Sequence, residues 1–272
     1  LSATVREVEE ELGITVFMRN NRGITVTAEG EEFLGYAKQV VEQYHLLENR
    51  YLNVESKKKF SVSMQHYSFA VKAFVQLAKE VGMDEYEFAV HETKTKEVID
   101  NVKNLKSEIG VLYLSDFNEK VLRKLFKECD IEFKELFTCN TYVYLWKKHP
   151  LAGQKEITLD DLQEYPCLTF EQGVNNSFYY AEEMMSTYEY KRVIKADDRA
   201  TMLNLMVGLN GFTLCSGIIS EDLNGDDYAA IPLKESEKMH IGYIKHKGTK
   251  LSKLGEIYIC LLYTSDAADD LI

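Results

Sequence analysis

Arg6, Arg19 and Arg22 are the side chains whose type and spacing best suit chemistry, since guanidinium groups neutralise phosphate and fork onto base edges. Arg6 lies where Leu1, Val5, Val8 and Leu12 recur at four, three and four, one apolar stripe of a helix. Gly13 stands where a left-handed residue would end that helix. Phe17-Met18-Arg19 and Ile24-Thr25-Val26 alternate like strands around Asn20-Asn21-Arg22-Gly23, a turn-forming run that would project Arg19 and Arg22 together. The competing reading is plain solvation, with Arg6 paired to Glu9 or Glu10.

A helix, a stop and a basic hairpin in immediate succession give the outline of a partial winged helix-turn-helix. The rest of the chain is acidic, with 44 acidic against 32 basic residues and a net charge of −12, which opposes non-specific binding to a duplex. Even the first 55 residues carry only Arg6, Arg19, Arg22, Lys38 and Arg50 as bases, and three of these five lie in the helix and hairpin. The pattern is a local basic edge on an acidic body.

Catalytic and metal chemistry find no constellation. His45, His66, His91, His149, His240 and His246 lack metal-ligand spacing with one another or with the cysteines. There is no GxSxG and no glycine-rich phosphate loop. Cys129, Cys139, Cys167 and Cys215 are isolated and mostly sit in apolar runs, as reduced buried thiols would. No enzyme, cofactor or metal is expected. No run approaches the roughly 20 apolar residues of a membrane span.

The elements that must position these groups follow from periodicity. Thr27 is a good N-cap, followed by Glu29, Glu31 and Glu32 where the helix dipole favours negative charge, so a long helix is expected to about Val54. Along it Phe33, Ala37, Val40, Tyr44, Leu47 and Tyr51 form a heptad seam, open to a partner helix or to the chain's own body. After Ser56-Lys57-Lys58-Lys59, strands and helices alternate, including helices at Leu159–Glu164 and Phe178–Tyr188 and a continuous apolar strand at Ile109–Leu114. Such alternation predicts open, largely parallel sheets. Extended crossings near Phe133–Trp146 and Ile231–Lys245 would make two lobes with a cleft. Ligands of such sheets gather beyond the strand carboxyl ends. That places Gln65, His66 and Ser68 after the first strand, Thr93 after the second, Ser115 after the third, Asp198 before the helix at Ala200, and Phe170 opposite. Ser68, Thr93 and Asp198 read equally as ordinary N-caps, and His66 as a loop histidine.

Leu1-Ser2, Val5-Arg6, Val8-Glu9, Glu11-Leu12-Gly13, Phe17, Arg19, Arg22, Thr27, Gly30, Phe33 and Ala37 fall at fixed spacings. On them the chain resembles the LysR-type transcriptional regulators, whose pattern is LSxxIRxLExELGxxLFxRxxRxxxLTxxGxxFLxxA. Trp146 to Ala152 (WKKHPLA) and Ile231-Pro232-Leu233 look like signatures of that family's effector domain. The resemblance implies an α/β chain: a partial winged helix-turn-helix (1–27), a linker and dimerisation helix (28–57), and a two-lobed effector domain shaped like a periplasmic binding protein (58–259). Lobe I would take about 58–134 and 238–259, lobe II about 135–237. It further implies Ser2, Thr4 and Arg6 toward a major groove, Arg19 and Arg22 toward backbone or minor groove, and the seam in a homodimer or homotetramer. Double-stranded DNA and a small-molecule effector are the partners implied, in the cytoplasm and away from membranes.

Two departures qualify these expectations. Relative to the pattern the chain begins inside the reading helix, so this fragment is expected to bind DNA poorly although the intact protein binds it. Cys260 to Asp270 (CLLYTSDAADD) resembles a translated sequencing adapter, so 260–272 is expected to be a non-native tail. The rival function is a solute-binding protein with no role in transcription, which explains two lobes but neither the seam nor the hairpin.

Overall fold

Gly13 does end the first helix: α1 (Ser2–Leu12) stops at this residue with φ +68°, and Ile14 N–H reaches back to the Glu9 carbonyl. The computed structural model describes residues 2–20, 23–51, 57–82, 85–175 and 177–264. They fall into two units, Leu1–Lys57 and Lys58–Ile272.

In the first unit a hairpin follows α1, with β1 (Phe17–Asn20) antiparallel to β2 (Gly23–Val26) and Arg19 opposite Ile24. Thr27 caps α2 (Ala28–Tyr51) by accepting the Gly30 N–H at 2.9 Å, as its residue type predicts. Gly30 is glycine for a steric reason, because a Cβ there would lie 2.3 Å from the Val16 carbonyl oxygen. Val16 is buried, so α2 starts in close contact with the backbone that leads into the hairpin.

The second unit holds two five-stranded sheets. Lobe I is built from β3 (Lys58–Met64), α3 (Ser68–Val81), β4 (Tyr86–Glu92), α4 (Thr95–Lys103), β5 (Ile109–Leu114), α5 (Glu119–Glu128) and β6 (Ile131–Cys139). The chain then crosses to lobe II through β7 (Tyr142–Trp146), followed by β8 (Cys167–Phe170), β9 (Val193–Ala196), α6 (Arg199–Leu209), β10 (Phe212–Cys215), the short α7 (Glu221–Asn224) and β11 (Tyr228–Pro232). It returns through β12 (Met239–His246) and closes with α8 (Lys253–Thr264). Strand orders are β4-β3-β5-β12-β6 and β11-β7-β10-β8-β9. Each sheet keeps three parallel strands, but β12 runs antiparallel to β5 and β6, and β7 antiparallel to β10 and β11. The sheets are therefore mixed, because each chain crossing re-enters a sheet against its parallel core.

Both expected crossings are present, and Thr141 ties them together. Its N–H donates to Ser236 Oγ at 2.7 Å and its hydroxyl to the Glu237 carbonyl at 2.9 Å. β5 is buried on both faces throughout, as its unbroken apolar run implies. Other expectations require correction. Leu159–Glu164 is only a single 3-10 turn over Asp161–Glu164, and Phe178–Tyr188 keeps just one such turn, Phe178–Tyr180. Beyond it Met185 adopts φ +54°, a left-handed conformation that a continuous helix does not contain, and Glu182 and Glu183 are buried. At the carboxyl end α8 runs past 259 to Thr264, with Leu261 and Leu262 buried in the lobe I core, and residues 265–272 lie outside the described residues.

Candidate ligand cleft and nucleic-acid interface

On the first unit, Thr4 and Arg6 are exposed on α1. For Ser2 and Arg19 only the backbone is described, in α1 and β1, and Arg22 lies outside the described residues. The alternative pairing of Arg6 with Glu9 is not what the carboxylate does: Glu9 Oε1 accepts the N–H groups of Val16 at 2.6 Å and Phe17 at 3.0 Å. Glu9 thereby docks the start of the hairpin onto α1. Hydrogen bonds to a charged group contribute about 1.5–3 kcal/mol, so Glu9→Ala is expected to speed amide exchange at Val16 and Phe17 by tenfold or more. Unchanged protection at those two amides would remove Glu9 from this role.

The expected seam divides along α2. Phe33 and Ala37 are half-buried, whereas Val40, Tyr44 and Leu47 are 69%, 58% and 57% exposed, and for Tyr51 only the backbone is described. An apolar row of this exposure, lacking cover within its own unit, is what a partner helix would bury.

In the second unit one segment after β8 reaches from lobe II onto lobe I. Glu182 Oε2 accepts the His66 backbone N–H at 3.0 Å and lies 2.7 Å from His66 Nδ1, while Oε1 accepts Gln172 Nε2 at 2.9 Å. Gln172 Oε1 in turn accepts the Thr95 N–H, and the Thr95 hydroxyl donates to the Tyr180 carbonyl. Tyr113 donates its hydroxyl to the Ala181 carbonyl at 3.0 Å. The Phe170 ring stacks on His66 with centroids 3.6 Å apart and planes within 5°. Behind these contacts lies a cavity of about 80 Å³ between the lobes.

Of the residues proposed from sequence, His66, Ser68 and Phe170 line this cavity. Gln65, Thr93, Ser115 and Asp198 do not line it, and the side chains of Gln65, Thr93 and Asp198 serve the fold instead. Gln65 binds Thr95, Tyr67 and the Tyr113 N–H; Thr93 donates to Glu97. The backbone N–H of Ser115 donates to Asn118 Oδ1, and Asp198 caps α6 by accepting the Thr201 N–H at 2.8 Å. Sequence reasoning did not single out Glu182, Glu183, Tyr144, Thr213 or Arg199, which also line the cavity. A pair of adjacent glutamates between aromatic residues was the available signal, but it reads as a solvated helix face until the segment is seen to turn inward.

Electrostatics separate the cavity's groups. Burial first, and the neighbouring Glu182 second, push the Glu183 carboxyl up to about 8, although it accepts the Phe170 N–H at 2.8 Å. Burial pushes the Cys215 thiol up to about 12, which keeps it protonated and a poor nucleophile. Because the folded-state value of Glu183 lies above that of the unfolded chain, its contribution is fully present below about pH 4.5 and is lost as pH rises toward 8. Stability is therefore expected to fall by up to about 1.4 kcal/mol per pH unit between these values. Urea unfolding across that window should show the slope in the wild type and a flatter one in Glu183→Gln; equal slopes would refute the assignment.

The family model for the LysR substrate binding domain matches residues 83–256. A transcriptional dual regulator, GltC of Bacillus subtilis, is 28% identical over 64% of this chain and 56% of its own length. The regulator CysL of the same organism is 24% identical over 96% of this chain and 86% of its own length. The chain thus spans little more than half of one of these relatives. Among solved structures, full-length OxyR from Pseudomonas aeruginosa superposes with a TM-score of 0.70 at 15% identity, covering 97% of this chain and 85% of that one. The effector-binding domain of QuiR, solved with shikimate, gives 0.51 at 16% identity over 76% of this chain and 96% of its own. These two similarities speak to the fold alone. The two lobes and their cleft are those of an effector-binding domain. The chain belongs to the LysR family of transcriptional regulators, and the curated relatives named here are regulators rather than enzymes. Among the described residues no helix is long and apolar enough to cross a membrane.

Proposed function

We propose that this protein is a DNA-binding transcriptional regulator, acting in the cytoplasm, whose operator affinity is set by a small molecule in the interlobe cleft. The observation that carries this reading is the segment Phe170–Glu183, which hydrogen-bonds lobe I to lobe II across a small, mostly apolar cavity. A ligand with different affinity for the open and closed cleft shifts their populations by that difference, and by linkage shifts whatever else distinguishes them. His66, Ser68 and Phe170 are assigned to the effector. Ser2, Thr4 and Arg6 are assigned to the major groove, and Arg19 and Arg22 to the backbone or minor groove.

The same reading assigns 1–27 to the reader, 28–57 to a linker pairing through Phe33, Ala37, Val40, Tyr44, Leu47 and Tyr51 in a homodimer or homotetramer, and the two-lobed body to sensing. A solute-binding protein would share the lobes but has no use for an exposed apolar row on a long helix or for arginines on a hairpin. The product of the whole gene, mixed with DNA from upstream of that gene, should give a sequence-specific and salt-sensitive band shift. Absence of such a band at low salt would remove the regulatory reading.

A further inference from the structure

We propose that the interlobe cavity binds a small, uncharged, apolar molecule of about three or four heavy atoms, held by methionines from both lobes and by no polar bond. The proposal rests on the effector reading above and names the chemical class that the cleft selects.

The apolar wall comes from both lobes. Met202 and Met206 lie four residues apart on α6 and so share one face of that helix, while Met239 opens β12 in the lobe I sheet. All three are buried and line the cavity, together with Leu203, Ile218 and Ile219. Methionine is unbranched and polarisable, the side chain best able to close an irregular gap in a core. A gap that persists among three of them has an adaptable wall. Packed interiors rarely leave voids larger than a water molecule, and this one measures about 80 Å³. An apolar cavity of roughly 150 Å³ takes benzene, so about half that volume suits a guest of about three or four heavy atoms.

The polar groups of the lining are turned away or already bonded. Glu182 is bound by His66 and Gln172, and the Arg199 guanidinium by Glu92. The Glu183 carboxyl accepts the Phe170 N–H and acts on Cys167 and Tyr190, which pack on the other face of the lobe II sheet from Met202 and Met206. Ser68 accepts the Ser220 N–H and Cys215 the Gly217 N–H, each at 3.3 Å. The hydroxyl oxygens of Tyr144 and Thr213 are closed to a water-sized group and can bond no guest. A charged guest would exchange its hydration for a wall whose charged groups are already engaged, a transfer that costs far more than contact returns. An apolar guest leaves water favourably and gains dispersion contacts. Because Met202 and Met206 belong to lobe II and Met239 to lobe I, such a guest touches both lobes and so can bias their arrangement.

The test is methyl NMR of the full chain with isotope-labelled methionines, titrated with dichloromethane, acetate or ethylammonium, probes of closely matched size. Dichloromethane is expected to move the Met202, Met206 and Met239 resonances saturably, with half-saturation at about 1–10 mM, an affinity within reach of so few heavy atoms. Acetate and ethylammonium should move them by less than a tenth as much. The exposed Met18 methyl in the first unit is the reference and should not saturate. Leu203→Phe, which adds bulk to the wall, should raise the half-saturation concentration about fivefold or more. Ile219→Phe makes the same test if that variant does not fold, and the wild-type comparison stands without either. Unchanged saturation in the folded variants overturns the placement of the guest. Saturable shifts with acetate or ethylammonium in place of dichloromethane overturn the apolar class and leave the cavity an effector site. No saturable shift with any of the three overturns the cavity as a binding site. A missing operator band shift, by contrast, removes the regulatory reading and leaves these spectra as they are.

Discussion

Glu182→Ala is expected to destabilise the two-lobed body by about 3 kcal/mol, since each buried donor left without an acceptor costs about 1–3 kcal/mol. The carboxylate accepts the backbone N–H and faces Nδ1 of His66, and accepts Gln172 Nε2, all at 3.0 Å or less. Alanine would leave these donors facing an empty space too enclosed for full hydration, since His66 and Glu182 side chains are only 7% and 4% exposed. The loss spreads, because Gln172 also accepts the Thr95 N–H, and Phe170 is stacked on the His66 ring. Glu182→Gln keeps one acceptor oxygen and should cost roughly half as much. Urea midpoints of the three proteins, with the denaturant slope checked for constancy, measure the effect. A midpoint for Glu182→Ala within about 0.5 kcal/mol of wild type would show that the lobes are held by other means.

Gly30→Ala in the product of the whole gene is expected to weaken operator binding at least tenfold while sparing the cleft. An added Cβ would sit 2.3 Å from the Val16 carbonyl oxygen and 2.9 Å from the carbonyl carbon and Cα of the same residue. That wall is backbone, and Val16 is tied down by Glu9 and by the Thr27 N–H donated to its carbonyl, so no side-chain rotation relieves the clash. Overpacking against a yielding side chain costs about 1–3 kcal/mol, and here the start of α2 itself must move. A loss of at least tenfold in band-shift affinity corresponds to only about 1.4 kcal/mol. The urea midpoint of the second unit should be unchanged in the variant, separating a damaged reader from a damaged sensor. Retained operator affinity would show that the contact yields more easily than its geometry implies.

Both variants probe features of different legibility. Gly30 stands at a family position in the sequence, but the reason for glycine there appears only when Val16 is found beneath it. The helix stop at Gly13, the hairpin register, the Thr27 cap and the buried β5 were legible because each depends on a few neighbouring residues. The two crossings were legible for a related reason: extended apolar runs that no helix period fits must be strands. Their direction against the parallel strands was not, because it depends on where distant strands already lie.

The cleft shows the division most sharply. His66, Ser68 and Phe170 could be placed from the rule that ligands gather beyond strand ends, but the same rule also nominated Gln65, Thr93, Ser115 and Asp198. Residue type alone cannot separate a cap from a contact, since both need the same short polar side chain. What distinguishes them is which donor and acceptor sites are already filled, as with Asp198 on Thr201. Glu182 and Glu183 escaped because adjacent acids ordinarily face water, where the charge is cheapest to hold. Local sequence determined the helices, the hairpin, the long arm and the family. Tertiary structure alone turned two glutamates inward, because burial and hydrogen-bond satisfaction are properties of the whole packed chain.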